Sequence, residues 1–294
     1  MIAIGVDVGG TKIAAAAVDM TGSRSAARTL PSPKDGHELL DRVADLILVV
    51  ASDAGERPVG VGIGMPSQVD FSTGYVRGST NIDLADVNVP EALAGRVTFP
   101  VVVDNDANVA ALAEQRAGAG RGHANIVMLT IGTGVGGGVV IDGAPARGGY
   151  GRGMELGHVT VEPDGPPCQR NCPNHGCLET MVSGTAIARD AGIPAPDVVA
   201  AARAGDARCT EVLHRAGRYL GIGIAGLVNV FTPDVVVVGG GVGLAGGFMS
   251  DAAEHEFSAR VLPSNAGTPI VPAALGNDAG VVGAGLLALG RFGG

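Results

Sequence analysis

The stretch Gly-Val-Asp-Val-Gly-Gly-Thr-Lys, residues 5–12, decides the fold prediction. It completes an alternation of large apolar and small side chains over residues 2–8, which predicts a β-strand. Gly9-Gly10-Thr11 predicts a turn, and residues 13–19 predict a return strand that ends at Thr21-Gly22. Glycines let consecutive backbone N–H groups approach an anion closely. The turn with its Thr11 hydroxyl and Lys12 is therefore a candidate phosphate site, and a plain β-hairpin is the alternative.

A second stretch, residues 126–141, repeats this order. A predicted strand over 126–131 is followed by Gly132-Thr133-Gly134 and by a return strand over 136–141. Two such halves would bring their Gly/Thr turns to opposite sides of one cleft. Neither turn has the spacing of a P-loop. With Asp7 before the first turn as a candidate Mg²⁺ carboxylate, the pair favours phosphate binding over two hairpins.

Strands and helices alternate along the rest of the chain, which predicts an α/β fold with mixed sheets. Strands are predicted at 59–65, 97–104 and 234–238, helices at 38–54, 106–115, 179–190, 211–231 and 279–289, and irregular structure at 143–176. Cys209 falls inside a helical segment and is expected to be an ordinary buried residue.

Composition limits the function classes. The 294 residues suffice for one large or two ordinary domains, and 46% apolar residues argue against disorder. The 20 basic and 29 acidic residues give a net charge of −9, which argues against nucleic-acid binding. No apolar run reaches about 18 residues, so no membrane span is expected. The first residues lack signal-peptide features, so we expect a cytoplasmic protein.

Asn105-Asp106-Ala107-Asn108 follows a predicted strand and opens a predicted helix. Ligands of α/β proteins usually bind at such carboxyl ends of strands. The Asp106 carboxylate is therefore a candidate general base for a sugar hydroxyl. The alternative is that Asp106 caps the helix, which is a common role for aspartate.

A cluster of metal-ligand residue types lies in the irregular stretch. One imidazole and three thiolates form a Cys₃His set typical of structural zinc, namely His158, Cys168, Cys172 and Cys177. Their spacing points to a metal in a reducing compartment, although His175 could replace His158. Glu155 and Glu179 flank the set and are either sugar ligands or solvated surface charges.

Val235–Val242 reads as a buried strand that runs into three glycines. Such a turn can cover the flat face of adenine and ribose, which makes Gly240 and Gly241 candidate nucleotide contacts. A strand followed by a flexible turn is the alternative.

Together these segments resemble the ROK family (repressor, open reading frame, kinase) of sugar kinases over nearly the whole chain. Residues 5–12 and 130–138 are similar to its two phosphate motifs, and 237–241 to its adenosine motif. Residues 105–108 resemble its catalytic segment. Glu155 to His158, followed by the three cysteines and Glu179, resembles its zinc signature. No DNA-binding segment precedes Ile2, so we expect a kinase rather than a repressor.

The resemblance implies the actin-like ATPase (ribonuclease H-like) fold, with two α/β domains around a cleft. The small domain would span residues 1–105, completed by the C-terminal helix 279–294. The large domain would span 106–278, with a zinc loop at 155–179. The resemblance also implies ATP with Mg²⁺, a structural Zn²⁺, and a homodimer or homotetramer.

For the site, the resemblance implies a glucokinase-like enzyme. Asp106 would be the general base that deprotonates the sugar 6-hydroxyl for attack on the γ-phosphoryl group. The implied sugar contacts are Ser67, Asn81, Asn105, Asp106, Glu155, His158 and Glu179. The implied nucleotide contacts are Asp7, Gly9, Gly10, Thr11, Lys12, Gly132, Thr133, Gly134, Gly240 and Gly241. His158 would ligate zinc through one nitrogen and touch the sugar with the other.

Two departures from the family pattern lie near the implied sugar site. Three residues rather than one separate Cys168 from Cys172. Ser67 and Leu84 stand where the family often has glycine and glucokinases often have tryptophan. From the resemblance and these departures we expect the substrate to be glucose or a modified relative, such as an aminodeoxyglucose, an N-acetylhexosamine or a valiolone-type cyclitol. A non-catalytic sugar-sensing regulator and a heat-shock-type ATPase are the other hypotheses. The regulator need not keep Asp106, and the metal cluster argues against the heat-shock type.

Overall fold

The computed structural model describes residues 1–79, 82–151, 153–169, 172–242 and 247–294. Its internal contacts divide the chain into two compact units. The first unit comprises Met1–Gly122, Gly138–Met154 and Leu275–Gly294, and the second comprises His123–Gly137 and Glu155–Ala274.

The strands in chain order are β1 (Ile2–Val8), β2 (Lys12–Asp19), β3 (Arg24–Pro31), β4 (Val61–Met65), β5 (Ser67–Asp70), β6 (Tyr75–Ser79), β7 (Val87–Asn88), β8 (Val101–Asn105), β9 (Ile126–Ile131), β10 (Val135–Ile141), β11 (Ala144–Pro145), β12 (Val235–Gly239) and β13 (Ile270–Pro272). The α-helices are α1 (Gly36–Asp53), α2 (Val89–Leu93), α3 (Asp106–Ala117), α4 (Leu178–Val182), α5 (Gly184–Ala191), α6 (Ala195–Arg203), α7 (Ala207–Phe231), α8 (Phe248–Arg260) and α9 (Ala279–Phe292).

The main sheet of the first unit has the strand order β3-β2-β1-β4-β8. Strands β1, β2 and β3 are antiparallel, whereas β1, β4 and β8 run parallel. Parallel strands need cover on both faces, so their side chains are almost continuously buried. Helices α1 and α9 pack on this sheet. The carboxyl ends of β1, β4 and β8 consequently meet at one edge, where Asp7 lies beside Gly64 and Gly64 beside Asp104.

Helix α9 packs against the sheet and against α3 at backbone contact distance. A Cβ at Gly62 would lie 1.8 Å from the Ala284 carbonyl oxygen, and one at Gly283 would lie 1.7 Å from the Val109 carbonyl oxygen. Only glycine fits these positions. This close approach keeps α3 and α9 together in the first unit. The sequence analysis instead ended the small domain at residue 105, before α3. The domain limits drawn from the sequence stay a prediction.

The second unit repeats the plan of the first. Strand β12 is parallel to β9 and to β13, and β10 begins beside β9 after the turn Gly132–Gly134. Strands β9, β12 and β13 thus stand where β1, β4 and β8 stand in the first sheet. This order confirms the internal repeat and the mixed α/β fold predicted from the sequence.

The largest difference from the predicted elements is at residues 179–190, where one helix was expected. The chain instead forms α4 and α5, because the Ser183 hydroxyl accepts the Ala186 N–H at 3.1 Å and starts a new helix. The helix predicted from residue 211 begins at Ala207, where the Asp206 carboxylate accepts the Cys209 N–H at 2.8 Å.

Several elements carry no clear sequence period and were not predicted. The edge strand β3 is mostly exposed, the three-stranded sheet β5-β6-β7 is built from very short strands, and α6 is rich in alanine. Their apolar residues are too few or too uniform to mark a buried face. In the part of the chain that the structure describes, no helix combines the length and apolarity needed to cross a bilayer.

Candidate active site and metal centre

The first Gly/Thr turn joins β1 to β2 in the first unit. The Gly9 N–H donates to the Lys12 carbonyl at 2.9 Å, and the Ser32 N–H donates to the Thr11 carbonyl at 3.0 Å. Gly9 and Gly10 are half-buried, whereas Thr11 and Lys12 are exposed. The segment is therefore a hairpin that leaves its threonine and lysine side chains available to a ligand.

Asp7 lies directly before this turn, against the first turn of α9. A Cβ at Gly280 would come within 2.4 Å of the Asp7 carboxyl carbon. Burial raises the pKa of Asp7 to about 6, and the charge of Lys12 partly opposes the rise. A buried carboxylate in this position suits a hydrated Mg²⁺.

The raised pKa of Asp7 makes a prediction for stability in metal-free buffer. Folding disfavours the Asp7 anion, so stability falls as pH rises from about 4 through about 6, the folded-state pKa. Asp7→Asn removes this ionisation, so its gain in Tm over the wild type should grow across that window and level off above it. Thermal melts of both proteins between pH 4.5 and 8 measure this difference. A difference that does not change with pH would contradict the assigned pKa shift.

Asn105 and Asp106 sit at the junction of β8 and α3. The Asn105 side-chain oxygen accepts the N–H groups of Ala107 at 2.9 Å and Asn108 at 3.2 Å, so Asn105 is the helix cap. Asp106 occupies the first helical position, and its Oδ1 accepts the Ala107 N–H at 2.8 Å. The structure thus gives the capping role to Asn105, and the interpretation of Asp106 as the cap is wrong.

A buried ion pair supports this junction. Asp104 is 1% exposed, and its Oδ2 accepts the Arg147 Nε–H at 2.8 Å. Its Oδ1 accepts the Asn105 N–H at 2.8 Å and the Asn108 Nδ2–H at 3.1 Å. The Arg147 guanidinium also stacks over the Phe71 ring at 3.5 Å. Sequence reasoning missed this support, although a carboxylate inside a run of buried valines signals a buried partner.

Three further residues were singled out from the sequence at or near the predicted sugar site, namely Ser67, Asn81 and Leu84. Ser67 is 6% exposed, and its carbonyl accepts the Asn105 Nδ2–H at 3.3 Å. Leu84 is buried in the core against Gly36 at the start of α1. Asn81, a predicted sugar contact, lies outside the described residues.

The second Gly/Thr turn lies in the second unit, where three other segments contact it. The Glu179 carboxylate of α4 accepts the Val135 N–H at 2.9 Å, and the Gly184 N–H of α5 donates to the Gly132 carbonyl at 2.8 Å. Gly240 has φ +94°, and a Cβ there would lie 2.3 Å from the Ile131 carbonyl oxygen. The structure therefore brings the predicted second phosphate turn, Glu179 and the glycines 240–241 together.

The metal-ligand side chains form one cluster. The Nδ1 of His158 lies 3.4 Å from the Cys168 Sγ, and the sulfurs of Cys172 and Cys177 are 3.9 Å apart. All four donor atoms lie within 4.8 Å of one another. Donors around a tetrahedral zinc ion are about 3.8 Å apart for Zn–S bonds of about 2.3 Å. His175 is exposed and is not among the four, so the donor set includes His158.

Backbone hydrogen bonds within the loop support the cluster. The Cys168 N–H donates to the Asn174 carbonyl at 2.7 Å, and the Val161 N–H donates to the Gly176 carbonyl at 2.9 Å. The Tyr219 hydroxyl of α7 donates to the Glu162 carboxylate at 3.0 Å. Two of the residues between Cys168 and Cys172, Arg170 and Asn171, lie outside the described residues.

Burial and neighbouring ionisable groups shift the pKa values of two residues in this region. Burial raises the pKa of the Cys168 thiol, and the nearby sulfurs of Cys177 and Cys172 raise it further. The Glu155 residue is exposed as a whole, yet desolvation around its carboxyl raises the pKa, while His158 opposes the rise and Glu179 adds to it. Three adjacent thiols and a nearby imidazole are the donor groups that a thiophilic metal ion prefers.

Comparison with known proteins matches the chain over nearly its full length. Residues 3–291 match the model of the ROK family. A glucokinase of Halalkalibacterium halodurans is 39% identical over 97% of this chain and 94% of that protein. A ROK hexokinase structure from Thermus thermophilus superimposes with a TM-score of 0.90 at 38% identity, covering 99% of both chains. A ROK family glucokinase from Streptomyces griseus in complex with glucose and AMPPNP gives 0.84 at 34% identity, covering 98% of this chain and 99% of that one.

Proposed function

Because this chain belongs to the ROK family and is a sugar kinase with the actin-like ATPase fold, we propose that it transfers the γ-phosphoryl group of ATP to the 6-hydroxyl of glucose. The observation that carries the proposal is the junction of β8 and α3. There Asn105 provides the helix cap, so the Asp106 carboxylate at the carboxyl end of the strand is not needed for capping. Relatives named for glucose phosphorylation support the choice of sugar.

Asp106 is the general base in this mechanism. It accepts the proton of the sugar 6-hydroxyl as that oxygen attacks the γ-phosphorus in line with the departing ADP oxygen. The buried Asp104 carboxylate holds the backbone of the junction through the Asn105 N–H, and Arg147 in turn holds that carboxylate. Accurate placement of a base matters because general catalysis depends on hydrogen-bond reach to the proton that is removed.

The two Gly/Thr turns hold the phosphates. Backbone N–H groups of Gly10 and Thr11 and of Thr133 and Gly134, with the hydroxyls of Thr11 and Thr133, bind the phosphate oxygens, while Gly9 and Gly132 close their turns by hydrogen bonds to Lys12 and Gly134. Gly240 and Gly241 contact the adenosine. Asp7 would hold Mg²⁺, which neutralises charge on the phosphates when bound. Its carboxylate is ionised above its pKa of about 6, so it can serve this role at neutral pH.

Sugar recognition falls to the side chains at the positions that the resemblance implies, namely Ser67, Asn105, Glu155, His158 and Glu179. The cluster of His158, Cys168, Cys172 and Cys177 would hold a structural Zn²⁺. Because Nδ1 of His158 faces the cluster, its Nε2 is the nitrogen that contacts the sugar. A closed set of four protein ligands leaves no position for a catalytic water.

The closest alternative is a kinase for a modified hexose or cyclitol. Ser67 and the longer Cys168–Cys172 spacing are the features that favour it, since both departures adjoin the proposed sugar contacts. From the resemblance we also expect a cytoplasmic homodimer or homotetramer. A non-catalytic sugar sensor would bind sugar without releasing ADP.

A substrate panel tests the proposal. Sugar phosphate formation is measured with glucose, mannose, 3-amino-3-deoxyglucose, N-acetylated hexosamines and a valiolone-type cyclitol, with ATP or polyphosphate as donor, and ADP release is measured in the ATP reactions. We expect ATP with glucose to give the highest kcat/KM and NMR of the product to show the phosphate on O6. The matched control is 6-deoxyglucose, which lacks the acceptor hydroxyl. Release of ADP that is equal with 6-deoxyglucose, or absent with every sugar, would overturn the proposal.

A further inference from the structure

The second Gly/Thr turn, Gly132–Gly134, is held by two consecutive helices, α4 and α5. We propose that Glu179 and Thr185 are positioning residues that set the backbone of this turn for the nucleotide before any sugar binds. The inference rests on the proposed function, because it takes the turn to be a phosphate-binding segment. It assigns Glu179 a role in nucleotide affinity that is separate from a contact with sugar, and it adds Thr185 to the site.

The contact from α4 is short and buried. Glu179 is 9% exposed and Val135 is 7% exposed. The Glu179 Oε2 accepts the Val135 N–H at 2.9 Å. A Cβ at Gly134 would lie 2.3 Å from the same oxygen, so the glycine is needed for this approach. Without the carboxylate, the buried N–H of Val135 would lose its acceptor, which carries a substantial free-energy cost.

The contacts from α5 engage the other side of the turn. The Gly184 N–H donates to the Gly132 carbonyl at 2.8 Å, and the Thr185 hydroxyl donates to the Thr133 carbonyl at 2.7 Å. The Gly134 carbonyl accepts the Gly132 N–H at 2.9 Å. All three carbonyl oxygens of the turn are therefore engaged within the protein.

This arrangement has a direct electrostatic consequence. A peptide carbonyl oxygen carries partial negative charge and repels phosphate oxygens, whereas an N–H attracts them. Tying the carbonyls of the turn to α5 and within the turn itself keeps them from rotating toward an anion. Such a preset backbone strengthens binding, because less conformational freedom is lost when the ligand arrives.

Sugar-free nucleotide binding separates this role from sugar recognition. Titration calorimetry with AMPPNP and Mg²⁺ compares the wild type with Glu179→Ala, Glu179→Gln and Thr185→Val. We expect Glu179→Ala to weaken binding about tenfold and Thr185→Val about threefold, as for loss of a charged and a neutral hydrogen bond. Glu179→Gln keeps an oxygen acceptor and should recover affinity to within about threefold of the wild type.

Glu155→Ala is the matched control, because it removes a predicted sugar-contacting carboxylate from the same unit. It should leave sugar-free AMPPNP affinity within about twofold of the wild type, a change too small to report a lost hydrogen bond. An effect of Glu155→Ala equal to that of Glu179→Ala would overturn the specific role of Glu179. So would wild-type affinity in both Glu179→Ala and Thr185→Val, or no recovery with Glu179→Gln.

Thermal melts accompany each variant. If Glu179→Ala does not fold, the exposed Thr185→Val variant decides, and unchanged AMPPNP affinity there overturns the inference. Failure of the proposed function has a different signature. In that case the wild type itself would not bind AMPPNP, whereas failure of the inference alone leaves wild-type binding intact and the variants equal to it.

Discussion

Asp106→Asn will lower kcat by about 10²–10⁴-fold while the protein stays folded, because the substitution removes the proposed proton acceptor and keeps the shape of the side chain. The helix cap belongs to Asn105, and an asparagine at position 106 keeps a side-chain oxygen for the Ala107 N–H. Steady-state kinetics with glucose and ATP measure the loss, and a thermal melt measures the fold. Tm and metal content should match those of the wild type.

Comparison with Asn105→Ala separates the effect of losing the helix cap from the effect of losing the proposed general base. Asn105→Ala removes the acceptor for two N–H groups at the start of α3, so it should lower stability by about 0.5–2 kcal/mol and lower Tm. Asp106→Asn should show no such loss. If Asp106→Asn kept more than about a tenth of the wild-type kcat, a loss far below that expected for a general base, Asp106 would be removed from the mechanism.

Cys168→Ser will abolish metal binding and greatly weaken sugar binding. The wild type should carry about one zinc ion per chain, and a serine hydroxyl is a poor replacement for a thiolate ligand. Without the ion, Cys168 and His158 no longer bind a common metal, so His158 loses its fixed orientation. We expect the KM for glucose to rise about tenfold or more. Elemental analysis and steady-state kinetics measure the two effects.

Cys209→Ser is the matched control for this experiment. Cys209 is buried in α7 and is outside the described cluster, so the same chemical change there should leave zinc content and the KM for glucose unchanged. Equal zinc loss in both variants would mean that zinc binds elsewhere or that unfolding, rather than ligand removal, releases it. Full zinc content in Cys168→Ser would exclude the predicted donor set.

Much of the candidate site was accessible from local sequence. The Cys₃His set was predicted from spacing within 20 residues, and the structure brings its four donor atoms within 4.8 Å. The first Gly/Thr turn was predicted from alternation that stops at glycines and the second from its repeat of the same order, and both join neighbouring strands. These features depend on residues close together in the chain, where steric rules and short loops limit the possible conformations.

Other features could not be predicted locally. Asp104 and Arg147 are 43 residues apart, and their pairing depends on where β11, which precedes Arg147, packs against α3. The bond between Glu179 and Val135 spans 44 residues. The break between α4 and α5 was missed because Ser183 fits a helix interior as well as a cap, and only the position of Gly184 against Gly132 decides between them.

The amino-acid sequence by itself determined the repeated strand–turn–strand plan, the three cysteines of the metal-ligand set and the kinase family, because these are encoded in residue types at short, regular spacing. Only the tertiary structure decided which residue caps α3, which histidine joins the three cysteines, which nitrogen of His158 faces the sulfurs, and what holds the second Gly/Thr turn. Those outcomes depend on hydrogen bonds between segments distant in the chain. The energy of such a bond depends on geometry and burial, which exist only once the segments have packed.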